Sequence, residues 1–238
     1  MRIVFMGTPQ FAVSSLAKLQ KSEHKVTAVV TAPDKPAGRG RKLRTSAIKA
    51  YARSENLPIL QPEKLRDPAF LKKLSAFAPD LIVVVAFRML PRAVWKLPPK
   101  GTINLHASLL PYYRGAAPIN WVLINGERET GLSTFFLDDQ IDTGATIFQQ
   151  SLSIAEDETA GSLHEKMLEP GAQLVLKTVN SIAEGAAPQV EQKMEEALPT
   201  APKLSPSDTW VNFNAPLQEV FNHIRGLAPY PGARALIQ

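Results

Sequence analysis

The 238-residue sequence contains no cysteine. This absence excludes disulfide bonds, thiolate nucleophiles and zinc sites built on cysteine. Histidine is also scarce, and the four histidines at positions 24, 106, 164 and 223 are too far apart in sequence to form a metal-binding motif. We therefore predict that the protein holds no metal.

Long apolar runs are also missing, since the longest candidate covers only residues 81–87. A membrane-spanning helix needs about 20 such residues, and the N-terminus has no long apolar signal core. We therefore expect a cytoplasmic protein without a membrane span. Hydrophobic residues make up 45% of the sequence, which is enough for a sizeable core.

The formal net charge of +5 is concentrated in one short window. Between Asp34 and Lys49 there are six positive residues and a single negative one, Asp34 itself. Glycines at positions 38 and 40 are expected to keep this loop mobile, and mobile Lys/Arg loops suit phosphate-rich partners. The alternative is a solvated loop without a partner. The six positive residues are Lys35, Arg39, Arg41, Lys42, Arg44 and Lys49.

Apolar strands and amphipathic helices alternate along most of the chain, which predicts an α/β fold with a mainly parallel sheet and helices on both faces. The first strand, over 3–6, is followed by a turn at Gly7 and a helix with Thr8 as N-cap and Pro9 at its first position. The further predicted strands are 25–31, 58–60, 80–87, 102–106, 131–138 and 145–154, and the further helices lie near 46–56, before 77, and over 162–184 as one long helix.

Four prolines among polar residues mark residues 188–206 as a linker. We therefore place a catalytic domain at 1–187 and the beginning of a second domain at 207–238. About 30 residues cannot bury an independent core, so the chain is expected to stop within that second domain. We also expect this last segment to pack loosely, because its apolar residues have few partners.

Asn104 and His106 are polar residues in the apolar stretch "TINLH". Side chains two residues apart on a strand share a face, and open α/β sheets bind ligands at the carboxyl ends of their strands. An amide beside an imidazole can hydrogen-bond an oxyanion that develops on a carbonyl group. The alternative is that Asn104 caps a turn and His106 is a core histidine with satisfied hydrogen bonds.

Asp142 lies in "DDQIDTG", between two predicted strands, where an Asp before Thr-Gly can equally be a turn former.

Two other classes of enzyme, those that bind a dinucleotide and those with a phosphate-binding loop, are disfavoured. The tripeptide Gly7-Thr8-Pro9 supplies only one glycine of a dinucleotide-binding fingerprint, and no phosphate-binding Gly-Lys-Ser/Thr loop is present in the sequence.

The stretch "INLHASLLPYYRGAAPINW" and the later "LDDQIDTG" together resemble the folate-dependent formyltransferases, whose hallmarks are Asn-x-His before Ser-Leu-Leu-Pro and a later Asp-x-Gly. The resemblance implies a Rossmann-like catalytic domain and a C-terminal barrel of roughly OB type. It implies that Asn104, His106 and Asp142 are catalytic. It also implies that 10-formyltetrahydrofolate contacts two segments, namely Ser108, Leu109, Leu110 and Pro111, and Phe87, Arg88, Met89 and Leu90.

Within this family, "VFMGTPQFAV" and "TAPDKPAGRGRKL" are similar to the branch that formylates methionyl-initiator tRNA for translation initiation. The resemblance implies a monomer that binds this tRNA, and we assign the tRNA contacts to the basic window, at Lys35, Arg39, Arg41, Lys42 and Arg44. Two alternatives stay open. One is a formyltransferase that acts on an amino-sugar nucleotide, and the other is a non-catalytic RNA-binding module.

Overall fold

The structure, a computed structural model, describes residues 1–37, 42–193 and 197–236. Among these residues, none of the helices combines the length and the apolar character needed to cross a bilayer. The described strands are β1 (Arg2–Gly7), β2 (Lys25–Val30), β3 (Lys35–Ala37), β4 (Lys42–Arg44), β5 (Ile59–Leu60), β6 (Leu81–Val85), β7 (Thr102–His106), β8 (Arg114–Gly115), β9 (Glu129–Phe136), β10 (Thr146–Ser153) and β11 (Thr200–Ala201). The described α-helices are α1 (Gln10–Gln20), α2 (Ala47–Ser54), α3 (Pro68–Ala76), α4 (Arg92–Trp95), α5 (Pro118–Ile124), α6 (Ala160–Lys166), α7 (Leu168–Ala183) and α8 (Leu217–Leu227).

Seven strands form one sheet in the order β10-β9-β7-β6-β1-β2-β5. The five strands from β7 to β5 are parallel to one another, and β9 pairs antiparallel with both β7 and β10. The predicted mainly parallel α/β fold is therefore confirmed. Since β1, β6 and β7 are parallel neighbours, their carboxyl ends meet at one edge of the sheet, where ligands bind in such folds.

Both faces of the sheet are buried, because alternate residues of each central strand belong to different apolar clusters. In β1, Ile3 and Phe5 pack with residues of α1 and α7, including Leu16 and Val175. Val4 and Met6 of the same strand pack on the opposite face, in the cluster that holds residues of α3 and α4. This two-sided burial explains why the central strands are nearly continuous apolar runs.

Two helix predictions were wrong in detail. The long helix expected over 162–184 is two helices, α6 and α7, joined at Met167. Pro170 has no N–H, and its ring would clash with the carbonyl of Lys166 in a continuous helix. The helix is therefore interrupted at Met167. Thr8 is not an N-cap, because Pro9 is itself extended, with ψ of 175°, and α1 begins one residue later.

The last segment docks more closely than predicted, because α8 packs directly against α5. Gly226 allows this approach, since a Cβ atom there would lie 2.7 Å from the Ile124 side chain. Its carbonyl accepts a hydrogen bond of 2.7 Å from Asn120, and the buried Arg225 donates to the carbonyls of Ala155 and Glu156. The expectation of loose packing was therefore wrong for α8. Several apolar side chains around it are nevertheless exposed, namely Trp210, Phe213, Leu217, Phe221 and Ile224.

Candidate active site

Asn104 and His106 line one cavity at the carboxyl end of β7. The strand residues between and beside them, Ile103 and Leu105, belong to the apolar cluster on the other face of the sheet. The shared face predicted for the polar pair is therefore confirmed. Asn104 is partly exposed, and among the described residues its side chain has no hydrogen-bond partner. Its amide is thus available to a ligand in the cavity, whereas an amide that caps a turn would be bonded.

The imidazole of His106 is buried, with only 6% of the residue exposed. Its Nε2 atom lies 2.8 Å from the carbonyl oxygen of Tyr113. Because a carbonyl oxygen only accepts hydrogen bonds, Nε2 carries a hydrogen and donates it, which leaves the lone pair of the neutral ring on Nδ1. Nδ1 lies 3.8 Å from Oδ2 of Asp142. The alternative of a core histidine accounts for Nε2 but leaves Nδ1, which faces a carboxylate, unexplained.

The residue that accepts this hydrogen bond, Tyr113, is itself held firmly. Its backbone N–H donates to the carbonyl of Pro199 at 2.7 Å, and its hydroxyl donates to Oε1 of Glu127 at 2.5 Å. Burial, together with the adjacent Glu127 carboxylate, raises the pKa of Tyr113 well above its usual range, so the phenol stays neutral. The ring orientation of His106 is therefore fixed by a rigid neighbour.

Asp142 lies in the loop between β9 and β10, and its backbone has a positive φ of 55°. Its Oδ2 atom accepts a hydrogen bond of 3.0 Å from the backbone N–H of Gly115, across the cavity wall. The turn-forming hydrogen bonds of this loop belong to a different residue, Asp138, which accepts from the N–H of Gln140 and the hydroxyl of Thr143. The carboxylate of Asp142 therefore does not stabilise its own turn. It contacts His106 and the backbone of β8 instead.

Gly144 allows the Asp142 loop to fold back onto the end of β9. A Cβ atom at this position would lie 1.7 Å from the carbonyl oxygen of Phe136, which is backbone and cannot be displaced easily. The glycine of the Asp-x-Gly motif is thus required by a close backbone approach.

We expect Gly144→Ala to push this loop away from β9, and with it the carboxylate of Asp142. Overpacking of this kind costs about 1–3 kcal/mol of stability, and displacement of a catalytic group by 1 Å can cost about 100-fold in rate. Thermal unfolding and turnover are the measurements. Gly185→Ala is the comparison for backbone strain alone, because Gly185 has a positive φ of 72° but a Cβ atom there meets nothing within 4 Å. Normal turnover in Gly144→Ala would show that the close approach does not position Asp142.

The cavity that these residues share has a volume of about 1340 Å³. This exceeds the roughly 300–1,000 Å³ of a typical small-ligand pocket, so it has room for two reactants at once. Five positively charged residues contribute to its lining, namely Lys64, Arg66, Arg88, Arg92 and Lys203. Phe11 and His164 contribute a further wall with their rings 5.2 Å apart, and burial lowers the pKa of His164. Among the described residues, no group of His, Asp and Glu side chains is arranged to hold a metal ion.

The segment predicted to contact the folate at 87–90 does line this cavity, with Phe87, Arg88, Met89 and Leu90 all contributing. Met89 is 73% exposed and offers an apolar surface. Arg88 serves partly as a brace, because its guanidinium donates to the carbonyls of Pro62 and Glu63. These contacts hold Pro62 and Glu63 beside the segment 87–90.

The other predicted folate segment, Ser108–Pro111, does not line the cavity. Ser108 is buried and donates to the carbonyl of Tyr112, while Ser133 bonds both the carbonyl of Ser108 and the N–H of Leu110. A direct contact between these residues and the folate stays a prediction. They fix the turn after β7 that carries the Tyr113 carbonyl to His106.

The basic window is partly a hairpin, since β3 and β4 pair antiparallel. Lys35 is exposed on β3, Lys42 and Arg44 belong to β4, and Arg39 and Arg41 lie outside the described residues. Lys49 is not available to a partner, because it is buried and forms an ion pair with Asp34. The hydrogen bond from Lys49, aided by one from Gln61, holds the pKa of Asp34 below its usual range.

The predicted linker contributes to the site more than its composition suggests. Its strand β11 pairs with β8, and Pro202 and Lys203 line the cavity. Gln192 donates hydrogen bonds to the carbonyls of Asp142 and Gly144. Sequence reasoning missed Gln192 and Gly115, because neither belongs to a local pattern and both depend on contacts between distant segments.

Two family models match the chain. One, described as "Formyl transferase", matches residues 1–179, and one described as "Formyl transferase, C-terminal domain" matches residues 203–238. Curated relatives include a methionyl-tRNA formyltransferase of Flavobacterium psychrophilum, 51% identical over 98% of this chain and 74% of the relative. The corresponding protein of Bacteroides fragilis is 50% identical over 98% of this chain and 73% of its own length.

Solved structures of similar fold are more distant in sequence. An N-formyltransferase of Helicobacter canadensis, solved with folinic acid and dTDP-3-aminofucose, has a TM-score of 0.70 and 21% identity over 94% of this chain and 79% of its own. HypX from Aquifex aeolicus in complex with tetrahydrofolic acid has a TM-score of 0.72 and 18% identity over 100% of this chain and 36% of its own. At these identities the likeness is one of fold.

Proposed function

The chain belongs to the formyl transferase family, and from that premise we propose that it transfers a formyl group from 10-formyltetrahydrofolate to the α-amino group of methionyl-initiator tRNA. The observation that carries this proposal is the meeting of Asn104, His106 and Asp142 at one cavity. About half of all residues are identical to those of methionyl-tRNA formyltransferases over nearly the whole chain, which supports the same acceptor.

The chemistry requires a carbonyl carbon to be attacked by an amine. The folate supplies the formyl group, and attack by the amine places a negative charge on the formyl oxygen. The Asn104 amide, which has no hydrogen-bond partner among the described residues, donates to this oxygen. A donor that is already positioned stabilises the charge without reorganisation, and this preference for the transition state raises the rate.

The proton lost by the amine needs an acceptor close to the reacting carbon. Nδ1 of His106 carries the lone pair, since Nε2–H is committed to Tyr113, and Asp142 stabilises the ring once Nδ1 has taken up the proton. The proton then passes to the folate nitrogen as the bond between that nitrogen and the formyl carbon breaks. The 3.8 Å from Nδ1 to Oδ2 exceeds a hydrogen bond, as is common before substrates are bound.

The lining and the volume of the cavity support binding of the folate. The segment from 87 to 90 offers an aromatic ring and apolar surface to a flat heterocycle, and the volume leaves space for the acceptor's amine and side chain. Ser108–Pro111 enters this proposal indirectly, through the turn that orients His106. Binding of the folate, measured by calorimetry, separates this proposal from a non-catalytic RNA-binding module, which would not bind it.

We assign the acceptor tRNA to the basic hairpin around β3 and β4, together with the exposed cations of the cavity rim. Arg39, Arg41 and Lys42 carry three of the positive charges of that hairpin region. Each cation that neutralises a phosphate releases a counterion, so affinity falls with salt by a log–log slope of about 0.7–0.9 per contact.

Replacing Arg39, Arg41 and Lys42 together with alanine is therefore expected to flatten the salt dependence of tRNA affinity by about two units. The measurement is tRNA affinity at several salt concentrations for the wild type and the triple variant. Folate affinity serves as the internal control and should change little, because its proposed pocket is formed by other segments. An unchanged slope would remove these residues from the tRNA interface and favour a small acceptor such as an amino-sugar nucleotide.

A further inference from the structure

The side chain of Gln192 joins the predicted linker to the loop that carries Asp142. Its Nε2 atom donates to the backbone carbonyl of Asp142 at 3.0 Å and to that of Gly144 at 2.7 Å. Both hydrogens of the amide nitrogen are thereby used, one on each side of Thr143. The contact spans about 50 residues of sequence, so it is formed only when the linker lies against this loop.

The acceptor end of the same amide is equally well satisfied. Its Oε1 atom accepts hydrogen bonds from Nε and Nη2 of Arg114, at 3.1 and 2.6 Å. A guanidinium only donates and carbonyls only accept, so the orientation of the amide is unambiguous. A glutamine is therefore the side chain that this position requires, because it must donate on one side and accept on the other.

Arg114 is also adjacent in sequence to the residue that binds the carboxylate of Asp142. It precedes Gly115 in β8, and the N–H of Gly115 donates to Oδ2 of Asp142 at 3.0 Å. The backbone of Asp142 is thus held by Gln192 and its carboxylate by the residue after Arg114. Two opposite braces act on a residue whose positive φ is disfavoured for any residue with a side chain.

We propose that Gln192 is a positioning residue for formyl transfer, which holds the carboxylate of Asp142 at the distance from His106 that the reaction uses. This proposal rests on the proposed function. It gives the linker a role beyond connecting two domains, since the backbone of Asp142 is held only when Gln192 lies against its loop.

The test compares three variants of the full chain. Gln192→Met keeps the length of the side chain but removes its hydrogen bonds, and Gln192→Glu turns a donor into an acceptor that faces two carbonyl oxygens. We expect kcat to fall about 10-fold for the first and about 100-fold for the second, with KM for both substrates within about 3-fold. Gln189→Glu is the matched control, because Gln189 is exposed and lies in the same linker.

A role in packing alone predicts a different pattern. Gln192→Met would then retain full kcat, and any loss in Gln192→Glu would follow its melting temperature; either result overturns the proposal. Absence of formyl transfer in the wild type would instead contradict the proposed function. In that case amide hydrogen exchange of residues 138–146 decides the positioning role, which predicts faster exchange in Gln192→Glu than in Gln189→Glu. Equal exchange rates would overturn it.

Discussion

Replacement of Asn104 with alanine is expected to lower kcat for formyl transfer by about 100- to 1000-fold, the usual effect of removing one oxyanion donor. The side chain is partly exposed in the cavity, and among the described residues it makes no hydrogen bond that its loss would break. The stability of the fold should therefore remain within about 0.5 kcal/mol of the wild type. The effect should fall on kcat rather than on KM, because the negative charge exists only in the transition state.

Steady-state kinetics with the folate donor and methionyl-tRNA, together with thermal unfolding, measures both parts of this expectation. Asn214→Ala is a suitable comparison, since Asn214 is exposed and lies outside the cavity. Turnover of Asn104→Ala within a few fold of this comparison variant would exclude Asn104 as the oxyanion donor. A large loss of stability would instead assign Asn104 a structural role.

The second large effect is expected for Asp142→Asn, which removes the charge but keeps an oxygen that can accept from the N–H of Gly115. The loop geometry should survive, while the stabilisation of a protonated His106 is lost. General acid–base groups contribute about 100- to 10,000-fold, so we expect a fall in kcat within this range. The affinity for the folate should stay within a few fold, because the proposed role of the carboxylate is electrostatic.

Asp139→Asn provides the comparison for charge alone. Asp139 lies on the same loop, lines the same cavity and contacts Arg92 at 3.8 Å, whereas the ion pair with His106 is made by Asp142. Its replacement should leave kcat largely intact. If Asp142→Asn abolishes folate binding together with turnover, Asp142 shapes the pocket and its proposed electrostatic role is wrong.

The polar pair at the end of β7 could be predicted from sequence because its pattern is local. Alternation in "TINLH" is enough to place Asn104 and His106 on one face, and parallel strands bring their carboxyl ends to one edge. The strand over 102–106 was predicted with its observed bounds for the same reason. A pattern of apolar residues over a few positions predicts a strand reliably when that strand is central in the sheet and buried on both faces.

Other features depend on contacts that no local pattern encodes. Lys49 has the same charge as the other cations of the basic window, but α2 buries it beside Asp34 and removes it from the surface. Ser108 belongs to a recognisable motif, and its hydroxyl is nevertheless used inside the turn. Gln192 lies in a segment of linker composition, and its role follows only from its contacts with Asp142 and Gly144.

The helix break at Met167 was predictable from a residue that was present in the sequence. Pro170 excludes a continuous helix over 162–184. The apolar residues on both sides of it keep the helical period, and this period alone predicts one long helix. The docking of α8 could not be predicted from local sequence, because it depends on the contact of Gly226 with Ile124 and on the hydrogen bond from Arg225 to the carbonyl of Ala155. Both are contacts between segments about 70–100 residues apart.

The most direct measurement offers the protein two acceptors at once. Wild-type protein is incubated with 10-formyltetrahydrofolate that carries a labelled formyl group, methionyl-initiator tRNA and a dTDP-linked amino sugar, and the labelled products are separated. We predict that the label appears on the α-amino group of the methionyl-tRNA, and that Asn104→Ala and Asp142→Asn each suppress this product. Label on the sugar nucleotide, or methionyl-tRNA formylated equally well by all three proteins, would contradict the proposed function and its site.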